Sequence, residues 1–323
     1  MTKKEQAKQI ALANHGASRQ ELIELFMEQI PGMTAGGAST YASQVKKDLV
    51  ESAPQRAMIE AREAETDDEI EARLKERFEM IDLLANASCL GQVRSLVVSG
   101  PAGLGKSYTV EQAVAAYDPM QAKSIIAKGF VRPTGLYLLL HEYRHKGNVI
   151  VLDDADSIFN DQDALNLLKA ALDTTKKRTI SWRSETRMVD ADGEPVDRVF
   201  DFEGTVIFIT NKDFDAEIAK GSKMSEHYEA LISRSHYVEC DMHTMRDYVV
   251  RIRQVVREGM LRTAKDLNHH EENIILEFIE DNKEKLRELT LRVALKLADI
   301  YKVDPARFES LAKVSLFKSG VRH

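Results

Sequence analysis

One short loop constrains this chain of 323 residues more than any other feature. It reads Gly100-Pro-Ala-Gly-Leu-Gly-Lys-Ser107, follows the apolar run Leu96 to Ser99, and precedes a helical stretch, Tyr108 to Ala116. A strand that leads through a glycine-rich loop into a helix gathers backbone N–H groups and a helix N-terminus around one point, where phosphate groups bind. The predicted phosphate-contacting residues are Gly100, Pro101, Ala102, Gly103, Leu104, Gly105, Lys106, Ser107 and Tyr108.

Two side chains of this loop have distinct chemistry. Lys106 is expected to reach the β- and γ-phosphates of ATP, and the Ser107 hydroxyl is expected to bind Mg²⁺. The loop therefore predicts ATP and Mg²⁺ as the cofactors.

A second element supports the first. Val149 to Leu152 is an apolar run followed by two acids, Asp153 and Asp154. Acids at the carboxyl end of a strand lie beside the phosphate loop in a parallel sheet. Asp153 is expected to hold Mg²⁺ through water, and Asp154 to orient or deprotonate the attacking water.

A third apolar run, Val206 to Ile209, ends in Thr210 and Asn211. A polar side chain at the tip of a central strand can hydrogen-bond the attacking water or the γ-phosphate. We assign this role to Asn211, with Thr210 as the lesser candidate and a turn-forming asparagine as the alternative.

The order of these features resembles that of the AAA+ ATPases. Gly100 to Ser107 is similar to their Walker A motif, Val149 to Asp156 to their Walker B motif, and Phe208 to Asn211 to their sensor 1. Asp154 departs from the commoner glutamate at the second Walker B acid, which puts the reach of the shorter side chain in question. The resemblance extends over about residues 75 to 315 and implies ATP hydrolysis.

Two arginines extend the resemblance. Ser233-Arg234 is similar to the motif that supplies an arginine finger from a neighbouring subunit, which implies a homo-oligomeric ring, expected to be a hexamer. A surface arginine in a loop is the alternative for Arg234. Arg292 resembles sensor 2 in the helical lid, and Arg287 competes for that role.

The predicted fold class is α/β, with a parallel sheet between two helical layers in the three-layer αβα arrangement of the AAA+ P-loop core. Asp192-Gly193 is a hairpin turn signal, so residues 179–201 predict a β-hairpin inserted before the Thr205 strand. The predicted domains are a three-helix unit at 1–50, a charged, solvated linker helix at 51–75, the large ATPase subdomain at 76–240 and an all-helical lid at 241–323.

Three residues are candidate substrate contacts. Phe130 is either a pore-lining residue that grips a threaded chain or an ordinary core side chain. Trp182 and Arg183 lie in the basic hairpin, where they are either nucleic-acid contacts or part of a solvated hairpin whose tryptophan packs on the sheet. Acids in the same hairpin favour the second alternative.

The N-terminal unit also has two interpretations, a helix-turn-helix-like DNA contact or an adaptor for a protein partner. In the first, the third helix offers side chains to phosphates and bases, namely Ser39, Thr40, Tyr41, Gln44, Lys46 and Lys47. The net charge of −7 means that any such contact must come from a local patch.

Three functions remain open at this stage. The first is a phage-encoded helicase, helicase loader or nucleic-acid remodeller, the second a protein unfoldase, and the third an ATP-dependent assembly switch with little turnover. Cys89 and Cys240 fit neither a metal site nor a disulfide framework, and no stretch approaches the roughly 20 apolar residues of a membrane span. We therefore expect a cytoplasmic protein, in the host cytoplasm if it is phage-encoded, without a membrane partner.

Overall fold

A computed structural model describes residues 2–14, 17–43, 45, 62, 64–183, 188–190, 192–219, 221 and 223–320. The chain divides into two compact units, Met1–Glu65 and Thr66–His323. In the described residues, no helix combines the length and the apolar character that crossing a membrane requires.

The first unit contains three helical stretches, Lys3–Ala13, Arg19–Gln29 and residues 35–43. Thr2 and Ser18 begin the first two helices with capping boxes, because each hydroxyl accepts from a backbone N–H that would otherwise lack a partner. The small core of this unit consists of Ala7, Ala11, Leu22, Phe26, Ile30, Ala38, Ala42 and Val45. Gln44, Lys46, Lys47 and residues 48–61 of the predicted third helix and linker lie outside the described residues.

The second unit begins with a long helix, Asp67–Cys89. Thr66 caps it, and three acids occupy its first turn, where they interact favourably with the helix dipole. Ile70 and Leu74 are fully buried against the sheet. The prediction of a solvated linker is therefore wrong for residues 67–75, because Asp68 and Glu69 lie on the exposed face of a helix whose other face is packed.

The strands of the unit, including two in the hairpin, are β1 Ser95–Ser99, β2 Ser124–Lys128, β3 Val149–Asp153, β4 Thr179–Ser181, β5 Val199–Asp201, β6 Thr205–Thr210 and β7 His236–Glu239. The main sheet has five parallel strands in the order β2-β3-β6-β1-β7. Every residue of β1, β3 and β6 is buried. Such uninterrupted burial is typical of central strands covered on both faces.

Successive residues of the central strands face two different apolar cores. One core contains Ile150 and Phe208, and the other contains Val151 and Ile207. The helices on the first face are Pro133–Glu142, Gln162–Ala171 and Ser225–Ile232, and those on the second are Asp67–Cys89 and Lys106–Tyr117. The predicted three-layer α/β class is thus confirmed.

The predicted hairpin is also present. β4 and β5 pair antiparallel, and an isolated bridge joins Val189 to Pro195 closer to the tip. Gly193 adopts a φ of +83°, the left-handed conformation that makes Asp-Gly a hairpin signal.

The chain ends in an all-helical lid with its own core. Its helices are Met245–Arg257, Met260–Lys265, His269–Asn282, Leu291–Val303 and Phe308–Leu316. The helix that begins at Met245 ends at Arg257, and a separate short helix follows because Gly259 takes a φ of +107°.

Candidate nucleotide site

The glycine-rich loop runs from the carboxyl end of β1 into the helix Lys106–Tyr117. Gly100, Gly103 and Gly105 have φ angles of +141°, +75° and +100°, which L side chains rarely adopt. A Cβ at Gly100 would lie 2.7 Å from the Cβ of Cys240, and one at Gly103 would lie 2.7 Å from the Cβ of Thr290. The glycines are therefore required by backbone conformation and by the close packing of two neighbouring segments.

Lys106 is the buried cation of this loop. Its Nζ donates to Gly100 O at 2.5 Å, to Pro101 O at 2.7 Å and to Asn211 Oδ1 at 3.0 Å. Burial lowers the pKa of Lys106, and the carboxylates of Asp154 and Asp153 oppose that shift. Ala102 is half-buried, Leu104 is buried and Tyr108 is exposed at the loop's edge.

The loop hydroxyl and the first Walker-type acid are in contact. Ser107 Oγ donates to Asp153 Oδ1 at 2.9 Å, and Lys128 Nζ lies 3.3 Å from Asp153 Oδ2. A hydroxyl and a carboxylate beside a phosphate cradle are oxygen ligands of the kind that Mg²⁺ prefers, together with water and substrate phosphates. No cluster of three or more acidic, histidine or cysteine side chains that could hold a metal ion occurs in the described part of the chain. The donor set therefore fits a metal shared with nucleotide phosphates and not a protein-only cage.

Asp154 and Asn211 are in contact next to the pair of Ser107 and Asp153. Asn211 Nδ2 donates to Asp154 Oδ1 at 2.9 Å, and its Oδ1 accepts from Lys106, so the amide connects the loop lysine to the second acid. Asp154 has a φ of +52°, and its N–H donates to Ile209 O at 3.0 Å. Aspartate tolerates the left-handed region better than most residues, and strained backbone at a site is consistent with a functional constraint.

Thr210 does not share this arrangement. It is fully buried, its hydroxyl donates to Asp156 Oδ1 at 2.5 Å, and it accepts from the Lys212 N–H. These contacts occupy the hydroxyl, so the lesser candidate for the catalytic role is excluded in favour of Asn211.

The lid contacts the loop directly. Leu291 N–H donates to Gly103 O at 2.8 Å, at the start of the helix Leu291–Val303. Arg292 is exposed in the first turn of that helix, one residue from the loop contact. Arg287 is occupied elsewhere, since its Nε donates to Phe317 O at 2.8 Å. Of the two lid arginines that the sequence proposed, Arg292 is the one next in sequence to the lid residue that binds the loop.

Comparison with known proteins agrees with this geometry. The family model described as "ATPase family associated with various cellular activities (AAA)" matches residues 96–230. An uncharacterized 36.7 kDa protein encoded in the nrdC–mobD intergenic region of Enterobacteria phage T4 is 35% identical over 251 residues, which cover 77% of this chain and 76% of that protein. This chain belongs to the AAA family. It is an ATPase with a nucleotide-binding P-loop core, as the motifs predicted.

Solved structures give more distant likenesses to this AAA ATPase. The Thermotoga maritima RuvB Holliday junction branch migration motor is 16% identical with a TM-score of 0.38, and the match covers 74% of this chain. The chain spans 64% of that RuvB chain, less than two thirds of its length. Domain III of the Thermotoga maritima replication initiation protein DnaA is 14% identical with a TM-score of 0.42, covering 75% of this chain and 91% of that one.

In this AAA ATPase, Arg234 lies at the opposite end of the sheet from the loop. Ser235 Oγ is 2.8 Å from Ser95 Oγ, at the amino end of β1, whereas the phosphate loop leaves the carboxyl end of the same strand. Five residues of strand separate these ends by about 16 Å. Arg234 Nη1 donates to Ala230 O at 2.8 Å, in the last turn of its own helix. Arg234 is therefore not one of the side chains that its own chain gathers around the phosphate loop.

Of the three candidate substrate contacts, Phe130 and Arg183 are exposed and Trp182 is half-buried. Phe130 is 75% exposed, so its interpretation as a core side chain is wrong. Trp182 is half-buried and packs on Tyr137, with ring centroids 5.7 Å apart, whereas Arg183 is exposed. Trp182 thus packs as the second alternative predicted, except that its ring partner lies on the helix Pro133–Glu142 that covers the sheet and not on the sheet itself.

Sequence reasoning missed several side chains around the site. Asp156 holds Thr210, Cys240 packs against Gly100, and Thr290 against Gly103. A fourth missed residue, Arg251, donates from the lid to Leu104 O at 3.4 Å. No motif marks these residues, although a buried arginine in an amphipathic helix is an unusual pattern that deserves a structural explanation.

Proposed function

We propose that this AAA ATPase works as a homo-oligomeric ring, in its simplest form a hexamer, that couples Mg·ATP hydrolysis to the remodelling of nucleic acid or nucleoprotein. The placement of Arg234 is the observation that carries the proposal. Arg234 lies beside the amino end of β1, about 16 Å along the strand from the end where the phosphate loop begins, so its guanidinium would serve catalysis at the loop of another subunit.

Within one subunit, each polar side chain has a task that its contacts support. Loop N–H groups and Lys106 bind the phosphates, and Ser107 with Asp153 would hold Mg²⁺, which neutralises phosphate charge when bound. Asp154, oriented by Asn211, accepts a proton from or positions the attacking water. Arg292, in the first turn of the lid helix whose Leu291 N–H binds the loop, would contact the nucleotide from the lid.

Nucleic acid is the favoured substrate because of the chemistry of one exposed loop. Phe130 projects into solvent after β2, and the Arg132 guanidinium carbon lies 5.9 Å from the centre of its ring. An exposed aromatic ring beside a guanidinium can stack on a base and attract a phosphate. Such a local cationic and aromatic pair is the kind of contact that an acidic chain with net charge −7 needs.

The three-helix unit offers a second contact for DNA. Arg19 joins its second helix to the third, donating to Ser39 Oγ at 2.7 Å and to Ser43 Oγ at 2.9 Å. Thr40 is exposed on that third helix. The similarity to a phage T4 protein supports a phage-encoded protein that acts in the host cytoplasm.

The test measures ATP turnover at low salt with single-stranded DNA, with double-stranded DNA and with neither. We expect DNA to raise the rate, and Phe130→Ala to reduce the ratio of stimulated to unstimulated rate. Met120→Ala is the matched control, because Met120 is a similarly exposed apolar side chain away from that loop. Absence of both DNA binding and stimulation contradicts the nucleic-acid proposal.

A polypeptide remodeller is the second candidate, favoured by the same exposed Phe130 followed by the apolar Val131. In that case an unfolded carrier polypeptide, and not DNA, stimulates turnover. A third possibility, an assembly switch, requires that the protein oligomerise with ATP while turnover stays near zero under every condition.

A further inference from the structure

Arg251 is a buried cation on the lid helix Met245–Arg257. It is 6% exposed, and its guanidinium carbon lies 3.5 Å from the centre of the Phe78 ring. Its Nη1 donates to Gln254 Oε1 at 2.8 Å, and its Nε points to Leu104 O at 3.4 Å. These partners bring together the lid, the helix Asp67–Cys89 and the phosphate loop.

Arg251 has no carboxylate partner among the described residues, which distinguishes it from its neighbours. Arg253, on the same helix, pairs with Asp67 at 2.8 Å and with Glu280 at 2.9 Å. Burial lowers the pKa of Arg251 to about 10, which still leaves it protonated at neutral pH. A buried charge without a direct ion pair is costly even with the opposite charge of Glu258 acting on it, so its retention beside the loop calls for a compensating function.

The contact with Leu104 O suggests that function. Leu104 C=O and Gly105 N–H belong to the same peptide group, and Gly105 begins the helix Lys106–Tyr117. A donor on the carbonyl polarises the peptide and makes its N–H a stronger donor, an effect that is larger in a low dielectric. The N–H of Gly105 is one of the groups that a loop of this kind turns toward phosphate.

Steric fit reinforces the electrostatic contact. Arg251 Nη2 lies 3.7 Å from the position that a Cβ at Gly105 would take, and Leu291 Cδ1 lies 3.4 Å from it. Leu291 N–H also binds Gly103 O at 2.8 Å. The lid therefore supports the outer side of the loop at two successive glycines.

We propose that Arg251 is a positioning residue for nucleotide binding: through Leu104 O it fixes the phosphate loop to the lid and adds positive charge behind the loop's N–H groups. It touches the loop and not the reacting atoms. Its removal weakens nucleotide binding in ground state and transition state alike, so the affinity falls while the catalytic step is preserved.

The test compares Arg251→Gln with Arg253→Gln, an equal change two residues along the same helix. We expect the Kd of a fluorescent ADP analogue and the KM for ATP to rise roughly tenfold in Arg251→Gln, since one charge-assisted contact is lost. We expect kcat to change less than about twofold. Arg253→Gln breaks two ion pairs distant from the loop and should leave both constants near wild type.

Conservative variants separate positioning from general packing. Arg251→Lys keeps the charge but cannot stack flat on Phe78, and we expect an intermediate affinity, about threefold below wild type. If Arg251→Gln fails to fold, Arg251→Lys decides the question. Wild-type ADP affinity in a folded Arg251 variant, or equal weakening by Arg253→Gln, overturns the proposal.

Discussion

At the carboxyl ends of β1, β3 and β6, polar side chains are joined to one another by hydrogen bonds, whereas at the amino end of β1 the Arg234 guanidinium has no such side-chain contact among the described residues. Lys106, Asn211 and Asp154 form a connected chain of contacts within 3.0 Å, and Ser107 binds Asp153 next to it. The Arg234 guanidinium, at the other end, donates only to the carbonyl of Ala230 among the described residues. One end is preorganised by its own chain, and the other presents a cation for which the described part of the chain supplies no anion.

This difference suggests where the site would obtain one further cation. Preorganised donors around the nucleotide suffice for binding, but the charge that develops in phosphoryl transfer requires a further cation. Because the sheet holds Arg234 away from its own loop, the arginine finger that we propose would act at the loop of a second chain. We therefore expect changes at the carboxyl end to affect isolated subunits, and changes at the amino end to affect only the assembly.

The largest effect is expected at the carboxyl end, from Lys106→Ala. Removing the buried ammonium should weaken ATP binding by about 10³-fold and reduce turnover below detection, because phosphate loses its main charge-assisted donor. Isothermal titration with ATP and a phosphate-release assay measure both. Lys123→Ala, at an exposed lysine just before β2, is the control and should behave as wild type. Turnover that survives Lys106→Ala would remove the loop from the site.

The next effect is expected at the amino end. Arg234→Ala should reduce kcat by about 10³-fold while ATP affinity stays within twofold, since an arginine that reaches a neighbour's γ-phosphate acts mainly on the transition state. The measurement is kcat and Kd in the assembled protein, with Arg198→Ala, at an exposed arginine of the hairpin, as the control. A parallel loss of ATP affinity would indicate that Arg234 serves its own subunit.

Mixing experiments sharpen the same comparison. Asp154→Asn removes the acid at the carboxyl end and should retain ATP without turnover. Mixed with Arg234→Ala subunits, it should regain activity, because some interfaces then combine an intact Asp154 with an intact Arg234. No recovery, with mixed assemblies shown to form, argues against a shared site.

Much of the carboxyl end was predictable from sequence because it is local. The loop motif fixes Lys106 and Ser107 relative to each other, and a parallel sheet brings the tips of β3 and β6 beside it, so Asp153, Asp154 and Asn211 followed from three apolar runs. The α/β class and the hairpin were also predictable, because apolar runs and the Asp192-Gly193 turn are local signals in the sequence. The family match to residues 96–230 covers this part of the chain.

What sequence could not predict depends on contacts between distant segments. Arg251 and Leu104 are 147 positions apart, and nothing in the lid helix indicates which loop carbonyl its arginine faces. Thr210 and Asn211 are neighbours with similar polarity, and only the pleat of β6 turns the threonine inward to Asp156. The prediction of a solvated linker failed because it rested on the many charged residues of this stretch and overlooked the helical spacing of the buried residues Ile70 and Leu74.

The smallest effect is expected from Ser235→Ala, which loosens the anchor of the amino end without removing its cation. Ser235 Oγ shares a hydrogen bond of 2.8 Å with Ser95 Oγ at the start of β1, and this bond fixes the segment that carries Arg234. Its loss should lower the unfolding free energy by about 1 kcal/mol and reduce kcat of the assembly by less than about fivefold. Ser233→Ala, whose exposed hydroxyl bonds only within its own helix end, is the matched control and should change neither. If Ser235→Ala lowers stability without any change in kcat, catalysis tolerates a loosely held arginine at the amino end. The two ends would then differ in how precisely their side chains must be held, as well as in which side chains they present.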